Sequence, residues 1–417
     1  MLLSNGSKKP IRIDDFKILK QLRRGGFGTV YHVCDIGDTS KEYALKLLHV
    51  AYNVIRLQHQ LSVLEILNKS SLFLKVYKAK KMGGQFYLLM EYSSQKSVEN
   101  LVKEELFTES KVLEVLQHML NSLEYLHENK IIHGDIKPDN IMKKDDRYYL
   151  IDFDIAKVKS SQKLVHIQGD NAYTAPEIYN GIESISSDIY SLGCSVYYML
   201  SANHIYNIDK DDAFSKQMFS HLYLCPIASS YVTQKMMYLI IRMTDKNYKT
   251  RASITEIKEI LGSRTSNYSF DNKDIKNIRD YDTEYDLYQV MADDGVHFAQ
   301  NILGLILEEG RGVKQDIEKS FRWYLCAAKS GLVKAQFNLG LCYKYGKGTP
   351  VDYDKALEYF SLAIEEFHNR SFYELADMYE NALGIEIDKQ KTYSYYKKAA
   401  LNGYKPAYKK LKELSKK

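Results

Sequence analysis

The sequence predicts an α+β catalytic region followed by an all-α helical solenoid, and three observations carry that prediction. The first is the stretch His133 to Asp152, which reads HGDIKPDNIM, a short charged hairpin, then YYLIDFD. Two carboxylates, a lysine and an amide gather there at the spacing that phosphoryl transfer from a metal-bound nucleotide requires. The second is a strand, glycine turn, strand pattern near the start of the chain. The third is a strict repeat with a period of 36 residues, headed by Ala299, Ala335 and Ser371.

Composition bounds the rest. A chain of 417 residues that is 45% hydrophobic can bury a sizeable core and suggests two or three domains. A net charge of only +5 gives no basic footprint, so nucleic acid is not the default partner. The five cysteines are scattered and never form CxxC, which argues against a disulfide framework or a zinc site and fits a reducing cytosol. No stretch approaches the roughly 18 apolar residues of a membrane helix, and the first residues lack a signal-type apolar run. A soluble, cytoplasmic protein without membrane insertion is expected, with delivery to another cell left open.

In the central stretch Asp135 can accept the proton of an attacking hydroxyl. Lys137 can neutralise charge on the transferring group, and Asn140 and Asp152 offer hard oxygen ligands for magnesium. The bland alternative is a buried loop whose Asp and Asn only cap turns. Eight matching residues with a strand-borne Asp twelve further on make the stretch far more specific than a lone His-x-Asp. It resembles the catalytic loop and metal-binding motif of eukaryotic-type protein kinases, and the lysine two residues after the aspartate resembles their serine/threonine branch. The resemblance covers roughly residues 11 to 262. It implies the bilobal protein kinase fold, ATP with Mg2+ (Mn2+ as an alternative), and a protein hydroxyl as acceptor.

In the small lobe, FKILKQLRRGGFGTVYHVCD runs strand into glycines into strand. A dinucleotide-binding loop would open a helix after its glycines, whereas TVYHVCD is β-branched and aromatic. By resemblance Gly25, Gly26, Phe27 and Gly28 form the loop over the phosphates and Val30 packs on adenine. Arg23 stands where the family has its first glycine, so the loop is expected to be stiffer and more cationic, which is tolerable because Arg can point outward. Ala44 and Lys46 in KEYALKLL resemble the third-strand alanine and the lysine that reaches the α- and β-phosphates. The family holds that lysine with a helix glutamate. Here apolar spacing puts Gln60 at that position, giving a neutral hydrogen bond to Lys46, with Glu65, about 140° round the helix, as the alternative. Met90 resembles the gatekeeper, the backbones of Glu91 and Ser93 are expected to bond adenine, and Met142 is expected to close the nucleotide site.

In the large lobe, Thr108 caps a long buried helix that delivers the catalytic loop. Gly134 replaces an arginine that reads a phosphorylated activation segment in many kinases, so activity without that phosphorylation is expected. Asp154 stands where the metal-binding triplet usually has glycine, and is expected to add an outer-shell contact or restrict the backbone. Ala175, Pro176 and Glu177 resemble the APE motif, with Arg251 as the partner of Glu177. Asp170 could pair with Lys137, a feature similar to Wee-type kinases that leaves the acceptor residue type open. Asp188 resembles the aspartate that anchors the catalytic loop, or simply caps a helix.

Residues 263–280 are polar and aperiodic and read as a linker, between a kinase domain at 11–262 (behind a tail, 1–10) and a solenoid at 281–417. In the repeats Gly312, Gly348 and Gly384 coincide, as do Asp316, Asp352 and Asp388, and Lys319, Lys355 and Lys391. Each unit reads as helix, glycine turn, helix, with half a unit before the first and a basic helix after the last. The spacing resembles Sel1-like (TPR-like) repeats. Tyr324, Phe360 and Tyr396 are expected in the core, and the solenoid is expected to recruit a protein substrate or partner. The leading reading is an active protein kinase; the alternative is a pseudokinase scaffold that binds nucleotide and partners without phosphotransfer.

Overall fold

The computed structural model describes residues 12–25, 28–48, 54–82, 85–158, 171–206, 213–224, 226, 232–263, 283–365, 368–401 and 404–415. The tail 1–10, Gly26, Phe27, Asp170 and all of the 263–280 segment except Ser263 lie outside those residues. The chain divides into two compact units, Met1–Lys159 with Ser195–Ala202, and Ser160–Cys194 with Asn203–Lys417.

The first unit opens with strands β1 (Arg12–Ile13), β2 (Phe16–Arg24), β3 (Gly28–Asp35) and β4 (Glu42–Leu48), then helix α1 (Val54–Leu67), then β5 (Val76–Met82) and β6 (Gln85–Glu91). The strands pair antiparallel in the order β1-β2-β3-β4-β6-β5. Successive side chains of a strand face opposite sides, and β4 uses both. Leu45 and Leu47 join Ile13, Phe16, Val33, Tyr87 and Leu89 in a core, which turns Ala44 and Lys46 to the other face.

After the short α2 (Val98–Glu104) comes α3 (Glu109–Glu128), 20 residues long. Thr108 caps it as expected, its Oγ1 accepting from the Lys111 amide at 3.4 Å. Val112, Val115, Leu116, Met119, Leu120, Leu123 and Leu126 recur at helical spacing and are all buried. The helix ends at Asn129 and hands the chain to β7 (Ile131–Ile132), a 3-10 turn at Pro138–Asn140, and the hairpin β8 (Ile141–Lys144) and β9 (Arg147–Leu150). A last short strand, β10 (Lys157–Val158), pairs with β7.

The second unit contains a 3-10 turn at Pro176–Asn180 and α4 (Ile185–Ser201), whose last turns belong to the first unit, then α5 (Phe214–Tyr223), α6 (Gln234–Met243) and α7 (Ile254–Gly262). The expected Glu177–Arg251 pair is present and two-pronged, at 2.6 and 2.9 Å, with Ser187 Oγ also donating to Glu177. Both side chains are buried, so removing either partner would strand a charge. Asp188 is buried in the first turn of α4.

The repeats follow as α8 (Glu284–Asp293), α9 (His297–Glu309), α10 (Ile317–Lys329), α11 (Val333–Tyr345), α12 (Tyr353–Glu365), α13 (Asn369–Glu380), α14 (Lys389–Leu401) and α15 (Lys405–Leu414). The aligned Asp and Lys positions are helix caps: the carboxylates of Asp316, Asp352 and Asp388 accept from the backbone amides of Lys319, Lys355 and Lys391 at 2.9–3.0 Å. Gly312, Gly348 and Gly384 all turn with φ near +70°, where a side chain is disfavoured. Tyr324, Phe360 and Tyr396 are fully buried, as packing residues should be.

These helices are continuous with the rest of the second unit. Leu287, Tyr288, Met291, Phe298 and Leu303 from α8 and α9 share one core with Tyr179, Met218, Phe219 and Tyr223. Two polar contacts flank it: Tyr223 Oη donates to Asp294 at 2.8 Å, and the His297 amide donates to Asn180 at 3.2 Å.

Candidate active site

The site is assembled within the first unit, and β-sheet register builds its roof. Val30 lies opposite Lys46, and Ala44 opposite Met90, on adjacent strands. Directly opposed residues share a face, so Val30, Ala44, Lys46 and Met90 line one surface, the one turned away from the sheet's core. Gly25 and Gly28 close the turn above it, with the Gly25 amide donating to the Gly28 carbonyl at 2.9 Å. A Cβ on Gly28 would sit 2.6 Å from the Leu47 carbonyl oxygen, which accounts for glycine there. At the end of β6 the Glu91 amide is committed to the Lys75 carbonyl at 2.8 Å. Any adenine contact at Glu91 therefore falls to its carbonyl. Ser93 Oγ donates to the Lys143 carbonyl at 2.8 Å, and Met142 bridges to Ser97.

The floor is the loop after β7. His133 is fully buried and its ring meets Phe153 at 4.8 Å between centroids. Its Nδ1 accepts from the Asp135 amide, and its Nε2 lies 3.2 Å from the Ile151 carbonyl. Phe153 packs in turn on Phe73, so the aromatic ring is inside and the flanking Asp152 faces the site. Asp152 itself holds φ at +68°, an uncommon state for a residue with a side chain and one found at functional turns.

Asp135 is the best-oriented group. Lys137 Nζ lies 3.0 Å from both carboxylate oxygens, and Asn140 Nδ2 donates to Oδ2 at 2.8 Å. Asn140 also donates to the Asp135 carbonyl at 2.8 Å. Burial pushes the Asp135 carboxyl above the ordinary carboxylate range, against the pull of Lys137. Gly134, just before it, adopts φ +79°.

Lys46 is buried and donates to Asp152 at 2.7 Å and to Asp154 at 2.5 Å. Burial alone would lower its pKa, but the two carboxylates outweigh that and raise it. Burial likewise opposes ionisation of Asp152, and the Lys46 charge overcomes it and holds that carboxyl low. Asp154 moves the other way, raised by burial and by the neighbouring Asp152 charge. The atoms that Asn140 and Asp152 could offer a metal are oxygens, Asn140 Oδ1 and the Asp152 carboxylate, which suits a hard divalent cation. Among the described residues no cluster of three or more His, Cys, Asp and Glu side chains could hold a metal alone.

At Arg23 and Asp154 the structure shows contacts beyond those the sequence suggests. Arg23 does not point outward: its guanidinium reaches down to Asp139 at 2.8 Å and to Asn140 Oδ1 at 3.3 Å. A cation on the strand facing an acid on the loop below is drawn inward, though half-exposure limits the pair to about 1 kcal/mol. Asp154 adds more than an outer contact, since it is a buried ion-pair partner of Lys46. Gln60 is buried and its amide donates to Asp154 at 2.8 Å, so the predicted helix position does reach this cluster. Glu65 is exposed, which removes the alternative. Sequence spacing offered no signal for either, because each contact joins residues roughly 95 to 120 positions apart.

The protein kinase domain family matches residues 16–260, and the Sel1 repeat family matches 297–332, 333–366 and 373–404. Among curated proteins, the chain is 28% identical over 246 residues to a protein of Acanthamoeba polyphaga mimivirus whose name assigns it serine/threonine-protein kinase activity, covering 56% of this chain and 83% of that one. It is 25% identical over 257 residues to the carbon catabolite-derepressing protein kinase of Candida tropicalis, covering 60% and 41%. It is also 27% identical over 196 residues to serine/threonine-protein kinase 17A of Oryctolagus cuniculus, covering 44% and 49%. The chain thus spans less than half the length of the Candida and rabbit relatives.

Proposed function

This chain belongs to the protein kinase family, with Sel1 repeats behind the kinase domain, and we propose that it moves the γ-phosphoryl group of ATP to a serine or threonine hydroxyl of a protein that the repeats help recruit. The observation that carries this reading is Asp135, clamped by Lys137 and Asn140 in the same site as the Lys46–Asp152 pair. An aspartate held this way has one orientation, and can direct a hydroxyl and take up its proton. Lys137, already against Asp135, is placed to offset charge on the group in transfer. ATP supplies the phosphoryl group, and a divalent cation, Mg2+ in this reading or Mn2+, draws charge off its phosphate oxygens.

The chain's own residues do the positioning. Asn140 and Asp152 offer the cation its side-chain oxygens, and Lys46 serves the α- and β-phosphates. Val30, Ala44, Met90 and Met142 enclose adenine, and the Glu91 carbonyl with the Ser93 backbone fixes its edge. Gly25 and Gly28 belong to the loop over the phosphates; Gly26 and Phe27, between them, complete the same proposal. Gly134 supplies no cation to read a phosphate on the activation segment, so activity does not wait on that modification. The domain limits 11–262 and 281–417 belong to this reading.

Intact-mass analysis of a protein or peptide acceptor after incubation with ATP and Mg2+, followed by phosphoamino-acid analysis, tests it. Addition of phosphate on serine or threonine is expected, from enzyme first stripped of its own phosphate. Addition of a nucleotide would make the chemistry a different transfer, and an acceptor of unchanged mass would favour a scaffold.

A further inference from the structure

The family's lysine is held by a glutamate from the helix beside it, and α1 has no such acid at the matching place. Position 60 is Gln, and the one acid of α1, Glu65, is exposed. A buried ammonium still needs a carboxylate, since burying a charge without a partner is strongly unfavourable. Asp152 cannot serve alone if its oxygens are to be shared with a cation. The structure offers a second acid: Asp154 Oδ2 accepts from Lys46 Nζ at 2.5 Å, and Asp154 Oδ1 accepts from Gln60 Nε2 at 2.8 Å. Lys46, Asp154 and Gln60 are each at most 7% exposed.

We propose that Asp154 is the positioning residue for Lys46, with Gln60 fixing the carboxylate, so that the acid has moved from the helix to the residue after Phe153. The inference rests on the reading of Lys46 as the phosphate-holding lysine. The two substitutions explain one another. An acid at position 60 would face the Asp154 carboxylate across 2.8 Å, where like charges repel, whereas the Gln60 amide donates to it. A glycine at position 154 would leave Gln60 and Lys46 without that acceptor. The helix amide thereby keeps α1 tied to the lysine through Asp154, the tie that an acid on the helix would otherwise make directly.

The test is a swap. Affinity for a fluorescent ADP analogue with Mg2+, kcat and KM for ATP, and melting temperature are measured in the native chain, Asp154→Gly, Gln60→Glu and the double variant, with Lys46→Met as reference. Asp154→Gly should weaken nucleotide affinity and lower kcat/KM by about tenfold or more, since misplacing a substrate-positioning contact costs on that order. Gln60→Glu alone should also lose affinity, and the double variant should recover most of both losses. Recovery separates a positioning role from a structural one, and also from direct metal ligation by Asp154, which an acid on α1 would not replace. Unchanged affinity and turnover in Asp154→Gly, or no recovery in the double variant, overturns the proposal. If Lys46→Met is itself without effect, the reading of Lys46 fails first, and the two failures are told apart. Should Asp154→Gly not fold, Asp154→Asn keeps the shape without the charge, and undiminished affinity in it is equally decisive against the proposal.

Discussion

Lys46 and His221 are both buried groups that can carry positive charge, and the protein treats them in opposite ways. Lys46 keeps its charge because two carboxylates meet it. Among the described residues no carboxylate is seen to pair with His221: its Nδ1 lies 2.9 Å from the Tyr190 hydroxyl, and Lys246 and His204 are its charged or titratable neighbours. Burial, then Lys246, push its pKa well below 6.5. The folded protein therefore binds this proton more weakly than the unfolded chain does. The stability it permits is complete above pH 6.5 and falls as pH drops below that value, by up to about 1.4 kcal/mol per pH unit until the folded group itself protonates. Melting curves at pH 7.5 and 5.5 should show a larger loss in the native chain than in His221→Gln. Equal losses would mean that another group governs the acid side. At this scale the sequence was legible where a residue's role is local. Asp135, Lys137 and Asn140 fall within five positions and their mutual bonds follow from that spacing. The partners of Arg23 and Asp154 are not legible in the sequence, because what fixes a side chain's direction there is a group brought near by the fold.

The repeats show how a shared plan absorbs substitutions. Tyr324 Oη donates to Glu308 and Tyr396 Oη to Glu380, each at 2.8 Å and each 16 positions back. In the unit between them the ring is Phe360, which has no hydroxyl, and the position of the acid is Lys344. Lys344 turns instead to Glu374 and Asp377 of the next unit, at 2.7 Å from each. The pattern links units where its neighbours link the two helices of one. Beside that ring lies Gly340, where a Cβ would come within 2.6 Å of Phe360. Gly340→Ala should thus cost about 1–3 kcal/mol by overpacking, read as a lower melting temperature, and Phe360→Leu in the same chain should return part of it. Additive losses would show that the two positions do not press on each other. The caps, turn glycines and core rings were legible because a 36-residue register places each at a fixed point of a helix pair. The Lys344 exchange is written in the same alignment, but its acceptors lie on α13.

At the scale of the whole molecule, the repeats are part of the core of the second unit. Tyr179 follows the Ala175–Glu177 motif, and it is buried among Leu287, Met291 and Phe298 together with Phe219 and Tyr223. Removing residues 281–417 would expose that surface, and large apolar side chains cost about 1.5–3 kcal/mol each when uncovered. The truncated chain should melt lower and lose activity on a short peptide as well as on a protein acceptor. Full activity on the peptide with loss only on the protein would instead make the repeats purely a recruiting surface. The 36-residue register predicted that helices stack on one another, but could not show which other helices the first of them would cover. No helix of the described residues is long and apolar enough to cross a membrane.

In the proposed reaction Asp135 directs the acceptor hydroxyl while other groups hold the nucleotide. Single-turnover transfer of the γ-phosphoryl group from ATP, measured beside nucleotide affinity in the native chain and in Asp135→Asn, addresses it directly. Transfer should be slower by about 10²- to 10⁴-fold in Asp135→Asn, with affinity for nucleotide nearly unchanged. Transfer at the native rate in Asp135→Asn would contradict it.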